Sequence, residues 1–209
     1  MGPEYASIVF AAVFITILFL LHFLKPELNP SWHMISEYEI GRFGWMMRLA
    51  FFSWGASVLA MLITIWPTLQ PISGTISRWW FVLIVIALVG AGIFKTNPIT
   101  ETAPNPVNTI HTLCGAIVIL TFPIAATLAV NSLLKNGFWQ SSQSWLTFAT
   151  VLIWVGMVAF FASIIISRAI DPSAGRVGPN VYLGWPNRFI VVTYIIWLII
   201  IAETALRLG

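Results

Sequence analysis

Charged side chains are scarce in this chain of 209 residues, since Asp, Glu, Lys and Arg together make up 8% of it. A soluble domain of ordinary composition carries about 25%. Hydrophobic residues reach 59%, and the mean hydropathy is +0.92. A chain this apolar excludes a water-soluble globular protein and needs lipid as its solvent.

Ligands for metals and cofactors are also few. Cys114 is the single cysteine, which excludes an intramolecular disulfide and CxxC redox chemistry. The three histidines show no HxxxH or HxxE spacing, and they cannot ligate two bis-histidine haems, although one haem between His22 and His111 is conceivable. The ten basic residues form no run, so the charge of +3 indicates membrane lipids as partners and not nucleic acid. We expect no metal and no cofactor.

Long, continuous apolar stretches make up most of the sequence, and this pattern favours helices over a β-barrel. Proline, glycine and polar clusters divide them into six predicted helices, at residues 5–24, 44–66, 78–94, 107–134, 145–167 and 184–206. Spanning a membrane takes about 20 residues. We therefore expect an all-α bundle of six transmembrane helices in a single domain, residues 1–209, in a plasma membrane or cell inner membrane.

Six spans place both termini on one side of the membrane, side B, and the loops after the first, third and fifth helices on side A. All three histidines, five of the seven acids and seven of the ten basic residues lie on or near side A. Longer side-A loops would explain this distribution without a function. However, Arg48, His111 and Arg188 lie about one turn inside helices, where a charge usually faces a partner or a water-filled cavity. A polar pocket at side A is therefore expected.

The segment 31–48, SWHMISEYEIGRFGWMMR, holds the densest polar residues. Ser36 and Glu39 have the spacing of a capping box, which predicts a helix start at Ser36. Ser36 could instead be a nucleophile, although the capping role fits its spacing better, or a ligand-binding hydroxyl.

Arginine is the basis of the first functional hypothesis, because its planar fork suits phosphate or carboxylate. Arg42, Arg48 and Arg188 would bind a lipid headgroup at side A, with Glu39 and Ser36 beside them. Ion pairs between these arginines and the glutamates explain the same residues without a ligand.

Histidine is the basis of the second hypothesis, a membrane-embedded enzyme acting on a lipid-like substrate. His111 and Glu37 could form a catalytic acid–base pair, since histidine titrates near neutral pH. A histidine hydrogen-bonded at a helix entrance is the alternative. A third hypothesis is a structural or assembly subunit, in which Trp45 and Trp185 fill the pocket and every arginine is paired.

Three motifs carry a family resemblance. HMISEYEIGRFGWMMR, GIFKTNP followed by HTLCGAIVILTFP, and GWPNRF together resemble the membrane proteins grouped as domain of unknown function 998 (DUF 998). The similarity runs over residues 26–206, and Lys95 stands where a proline is expected. The resemblance implies a six-helix bundle of no established activity. Its motif residues are Ser36, Glu37, His111 and Arg188.

Overall fold

The computed structural model describes residues 2–101, 103–172 and 178–208. These residues form seven α-helices: α1 Pro3–Leu24, α2 Gly44–Ile65, α3 Ile72–Ile93, α4 Pro106–Leu133, α5 Gly137–Gln140, α6 Gln143–Ile170 and α7 Gly184–Leu208. Two 3-10 helices, Ile35–Glu39 and Trp66–Thr68, flank α2. All helices except α5 are long and apolar enough to cross a membrane, which confirms the predicted all-α class and the six spans.

The start of α3 differs most from the predicted helix bounds. Pro71, Ser73 and Gly74 suggested a loop up to residue 77, but α3 begins at Ile72. Gly74 is needed for close packing and not for a turn, because a Cβ there would lie 2.4 Å from the carbonyl carbon of Leu69. One guanidinium nitrogen of Arg78 donates to the carbonyls of Trp66 and Leu69 and so closes the end of α2 against α3.

Two helices form the centre of the bundle. Within their most apolar stretches, α2 is 61% buried and α7 is 56% buried, whereas α6 is 28% buried. Aromatic rings fill the interior: Tyr194 stacks on Phe122 with the ring centroids 4.4 Å apart, and Trp197 is fully buried beside them. The Tyr194 hydroxyl donates to the Ile119 carbonyl at 2.6 Å, so this buried polar group is satisfied.

The expected capping box at Ser36 is wrong. The 3-10 helix begins at Ile35, one residue earlier, and Ser36 lies inside it. Glu37 provides the cap instead, since its Oε2 accepts from the Met34 backbone N–H at 2.9 Å. Glu39 is turned away from the helix start and accepts a hydrogen bond from another loop, described below.

A tight turn then leads into α2. Gly41 and Phe43 have positive φ angles of 71° and 64°, in the left-handed region. Gly44 follows at the first position of the helix, where a Cβ would lie 2.0 Å from the Glu39 carbonyl oxygen. This close approach requires glycine and holds the two buried glutamates at the side-A end of α2.

Candidate functional site at side A

Two buried carboxylates join the α1–α2 loop to the α3–α4 loop. Glu37 Oε1 accepts from the Ile99 backbone N–H at 2.9 Å, and Glu39 Oε2 accepts from the Thr96 backbone N–H at 3.1 Å. Glu37 is 2% exposed and Glu39 is 1% exposed. Both acceptors are buried away from water, so these two contacts fix the relative position of the loops.

Glu37 has a third neighbour. His33 Nδ1 lies 3.0 Å from Glu37 Oε2, but off the line that a hydrogen bond requires. The carboxylate thus receives two backbone N–H groups and faces an imidazole, which is a strongly polar setting for a buried acid.

Glu39 occupies a less favourable setting. Burial raises its pKa to about 7, against the opposing effects of the Thr96 hydrogen bond and of the Arg48 and Lys95 charges. Its Oε1 is buried, and no donor among the described residues reaches it. Near neutral pH, this carboxyl group is therefore divided between its charged and protonated forms.

His111 enters the site from the first turns of α4. Its Nδ1 lies 2.7 Å from the Phe94 carbonyl oxygen, which can only accept, so Nδ1 carries a proton. The same nitrogen is 3.5 Å from Glu39 Oε2, so the carboxylate beside His111 is that of Glu39. No hydrogen bond connects His111 with Glu37, the predicted partner, among the described residues. Nothing in the described part of the chain donates to His111 Nε2.

A cavity of about 430 Å³ opens beside these residues. One end is polar and the rest is apolar. The polar end includes Ser36, Glu37, Thr96, Asn97, Asn108, His111 and Asn187, and the apolar part includes Phe51, Trp54, Leu88, Val118, Leu120 and Phe160. Along α4 the lining extends from Asn108 to Leu120, about 18 Å at 1.5 Å per residue. The cavity therefore extends from the side-A loops deep into the apolar part of the bundle.

Exposed residues lie in two parts of the cavity lining. They are Pro98 and Glu101 in the α3–α4 loop, and Thr112 and Leu120 on α4 with Phe161 on α6. The first group brings the lining to the surface of the side-A loops. Leu120 and Phe161 are 43% and 40% exposed, so the lining also reaches the apolar outer surface of α4 and α6, which faces lipid.

Arg188 binds the chain itself. It is 5% exposed, and its guanidinium donates to His22 Nε2 at 2.8 Å, to the His33 carbonyl at 2.7 Å and to the Tyr38 hydroxyl at 3.0 Å. It also donates to the Gly184 carbonyl at 2.9 Å. Its donors are therefore directed to α1, the α1–α2 loop and the α7 entrance, and it does not line the cavity.

The other two predicted arginines also lie outside the cavity wall. Arg48 is half-buried near Glu39, and Arg42 is exposed, with its guanidinium 4.6 Å from the centre of the Phe43 ring. The tryptophans expected to fill the pocket, Trp45 and Trp185, are 64% and 57% exposed.

A family comparison covers nearly the whole chain: the model described as "Protein of unknown function (DUF998)" matches residues 8–203. The chain belongs to DUF998. This confirms the resemblance inferred from the three motifs. No curated protein and no solved structure matches the chain.

The resemblance implied four motif residues, and three of them, Ser36, Glu37 and His111, line one cavity. The fourth, Arg188, instead supports the loop that carries Ser36 and Glu37. Lys95, where the resemblance led us to expect proline, is exposed, and the preceding Phe94 carbonyl holds His111.

Sequence reasoning missed the asparagines of this DUF998 protein. Asn108 and Asn187 lie at the polar end of the cavity, close to the side-A ends of α4 and α7. Their position inside predicted helix entrances, beside His111 and Arg188, was a usable signal. In the part of the chain that the structure describes, no three His, Cys, Asp or Glu residues come together as a metal site would require. Both ring nitrogens of His22 are engaged, with Leu18 and with Arg188, so His22 offers no haem ligand.

Proposed function

We propose that this DUF998 protein binds a membrane amphiphile in the side-A cavity. The polar end of the amphiphile lies beside Glu37 and His111, and its chain lies between α4 and α6. One observation carries the proposal: the cavity has a polar end and an apolar end, and its lining includes exposed residues both in the α3–α4 loop and on the lipid-facing surface of α4 and α6. Its volume is within the ~300–1,000 Å³ range of small-molecule sites.

The proposal assigns the polar contacts to Ser36, Glu37 and His111. Headgroup binding by Arg42, Arg48 and Arg188 was the expectation from sequence. The donors of Arg188 already have acceptors within the chain, and the other two arginines lie outside the lining. Glu39 acts indirectly, through the imidazole that it neighbours.

A filled-cavity variant tests the proposal. Gly115 lines the cavity, and a Cβ added there meets no atom within 4 Å, so Gly115→Phe places a ring at the cavity wall without a clash at its Cβ. Gly137 is the matched control, because a Cβ there also meets nothing within 4 Å and the residue lies outside the cavity.

The measurement is native mass spectrometry in mild detergent, with extraction and identification of retained lipid. We expect a stoichiometric amphiphile on the wild type and on Gly137→Phe, and its loss from Gly115→Phe. Equal retention by all three proteins would exclude the cavity as the binding site.

An enzyme acting on the bound amphiphile is the second candidate, favoured by one feature of His111. Its Nδ1 is held by the Phe94 carbonyl, while Nε2 receives no donor from the described residues. A base oriented through one nitrogen, with the other turned to a substrate, is a common catalytic arrangement. In proteoliposomes of native lipid, His111→Gln should retain amphiphile but form no product. Identical lipid profiles with the wild type and the variant would refute this candidate.

A further inference from the structure

We infer that the cavity selects an uncharged amphiphile whose polar end carries hydroxyl groups, in the class of monoacylglycerols and long-chain alcohols. This inference rests on the proposed function and adds the chemistry of the ligand. It follows from the charges that line the polar end and from the hydrogen-bonding groups that remain without partners there.

The charge of the cavity wall disfavours an anionic headgroup. The ionisable lining residues are Glu37, Glu101 and His111, and no lysine or arginine of the described residues is among them. A phosphate would therefore face two carboxylates without a paired cation, which is costly in a site with little water.

The nearby cations lie outside the cavity lining, and the two buried ones are held by hydrogen bonds within the chain. The Lys25 ammonium is buried and donates to the carbonyls of Tyr38 and Ile40. Arg188 is fixed by the α1–α2 loop, and Lys95 is exposed outside the lining. For Lys25 or Arg188 to reach a phosphate, the loop that forms the polar end would have to lose its own hydrogen bonds.

Two asparagines provide neutral donors. Asn108 Oδ1 accepts from the Asn97 backbone N–H at 2.9 Å, and Asn187 Oδ1 accepts from the Ile35 backbone N–H at 3.0 Å. These bonds fix which way each amide points. The NH₂ groups of Asn108 and Asn187 make no hydrogen bond to described residues, so both are left to donate.

An uncharged hydroxylated group complements these partners best. Its oxygens accept from the Asn108 and Asn187 amides, and its O–H donates to His111 Nε2. An ammonium group carries only N–H donors and no lone pair that could accept a hydrogen bond, so it would leave both amide donors unpaired. Glu37, the buried carboxylate that could attract an ammonium, already accepts two backbone N–H groups.

Three probes with identical chains test the inference: a monoacylglycerol, a lysophosphatidic acid and a long-chain alkylamine. Each is titrated into delipidated protein, and binding is followed by native mass spectrometry for the wild type, Gly115→Phe and Gly137→Phe. We expect the monoacylglycerol to bind about tenfold more tightly than either charged probe. The phosphate would face carboxylates without a paired cation, and the ammonium would leave the asparagine donors unpaired. Gly115→Phe should abolish its binding.

Single-atom changes identify the donors. Asn108→Asp keeps an oxygen for the Asn97 N–H but replaces the NH₂ donor, so monoacylglycerol affinity should fall about tenfold. Asn187→Asp repeats the test at an independent position. Unchanged thermal unfolding of each variant shows that the fold is kept.

The outcomes separate the two proposals. The lysophosphatidic acid or the alkylamine could bind as tightly as the monoacylglycerol and lose this binding in Gly115→Phe. That result overturns the uncharged class and leaves amphiphile binding in the cavity intact. If all three probes bind and Gly115→Phe reduces none of this binding, both the cavity as the amphiphile site and the uncharged ligand class are overturned. Absence of monoacylglycerol binding overturns the inference.

Discussion

Arg188 and His22 are 166 residues apart in the sequence, and the Nε–H of Arg188 donates to Nε2 of His22 at 2.8 Å. The other ring nitrogen, Nδ1, faces the Leu18 carbonyl at 2.7 Å and must donate to it. This pattern requires a neutral His22, because protonation would place a second cation against the guanidinium. The side-A ends of α1 and α7 are thus joined by a polar contact that depends on one tautomer.

Removing Arg188 should destabilise the fold. Arg188→Met leaves the His33 and Gly184 carbonyls, His22 and the Tyr38 hydroxyl without their donor. We expect a loss of at least about 3 kcal/mol in the free energy of unfolding, since hydrogen bonds to a charged group contribute about 1.5–3 kcal/mol each and four are lost. Unfolding in mixed detergent micelles measures it.

Arg207→Met is the matched control. This arginine side chain is 71% exposed and pairs with Glu203, which is also largely exposed. Exposed ion pairs contribute about 0–1 kcal/mol. A loss in Arg207→Met as large as that in Arg188→Met would contradict the structural role of Arg188.

Stability should depend on pH through Glu39. Its pKa is about 7 in the fold and near the ordinary 4.5 when unfolded, because burial disfavours the charged form. The folded chain therefore binds the extra proton between these values, and stability falls as pH rises from about 4.5 to 7. Glu39→Gln should be more stable than the wild type at about pH 8, by up to about 3 kcal/mol, and similar at about pH 4.

Arg48 provides a second test of this dependence. Its charge lowers the pKa of Glu39, so Arg48→Met should raise that pKa further and enlarge the fall in stability at higher pH. Arg42→Met is the control, since Arg42 is exposed and contacts Phe43. If the free energy of unfolding changed with pH in the same way for the wild type and Arg48→Met, this coupling between Arg48 and Glu39 would be excluded.

Hydrogen exchange should report the two loop contacts separately. Glu37→Ala removes the acceptor of the Ile99 amide, and Glu39→Ala removes that of the Thr96 amide. We expect about tenfold faster exchange at the amide that loses its acceptor, for a contribution of about 1.4 kcal/mol. Each variant is the control for the other, and protection that persists at both amides would show that the carboxylates do not hold the loop.

Alanine substitution should affect stability differently at two glycines. A Cβ at Gly184 would lie 2.3 Å from the Pro30 carbonyl oxygen, so Gly184→Ala must displace the α1–α2 loop. A Cβ at Gly115 meets nothing, and alanine is preferred over glycine inside a helix by about 1 kcal/mol. Thermal unfolding should show a clear loss for Gly184→Ala and no loss for Gly115→Ala. A stable Gly184→Ala protein would refute the close contact.

The six transmembrane helices, and the membrane side on which the polar residues cluster, could be predicted from the sequence because a bilayer permits few arrangements of an apolar chain. An apolar stretch of sufficient length must cross the membrane, and successive crossings assign each loop to a side. His111 and Glu37 could be placed at one face on that basis alone.

Local patterns failed where a distant group supplied a better partner. Ser36 and Glu39 have capping-box spacing, but the Thr96 amide from another loop binds Glu39. Arg188 has the chemistry of a headgroup ligand, but carbonyls of the α1–α2 loop take its donors. The sequence could not reveal these pairings, because they join residues that only the folded bundle brings together.

The contact between the α1–α2 loop and the start of α7 has a consequence for biosynthesis. The Gly184 N–H donates to the Ser31 carbonyl, and Arg188 donates to the His33 carbonyl, 155 residues earlier in the chain. The ribosome makes the loop long before the helix that completes it. Until α7 is synthesised, the Ser31 and His33 carbonyls lack these donors, so segment 31–48 can reach its final structure only after nearly the whole chain has been made.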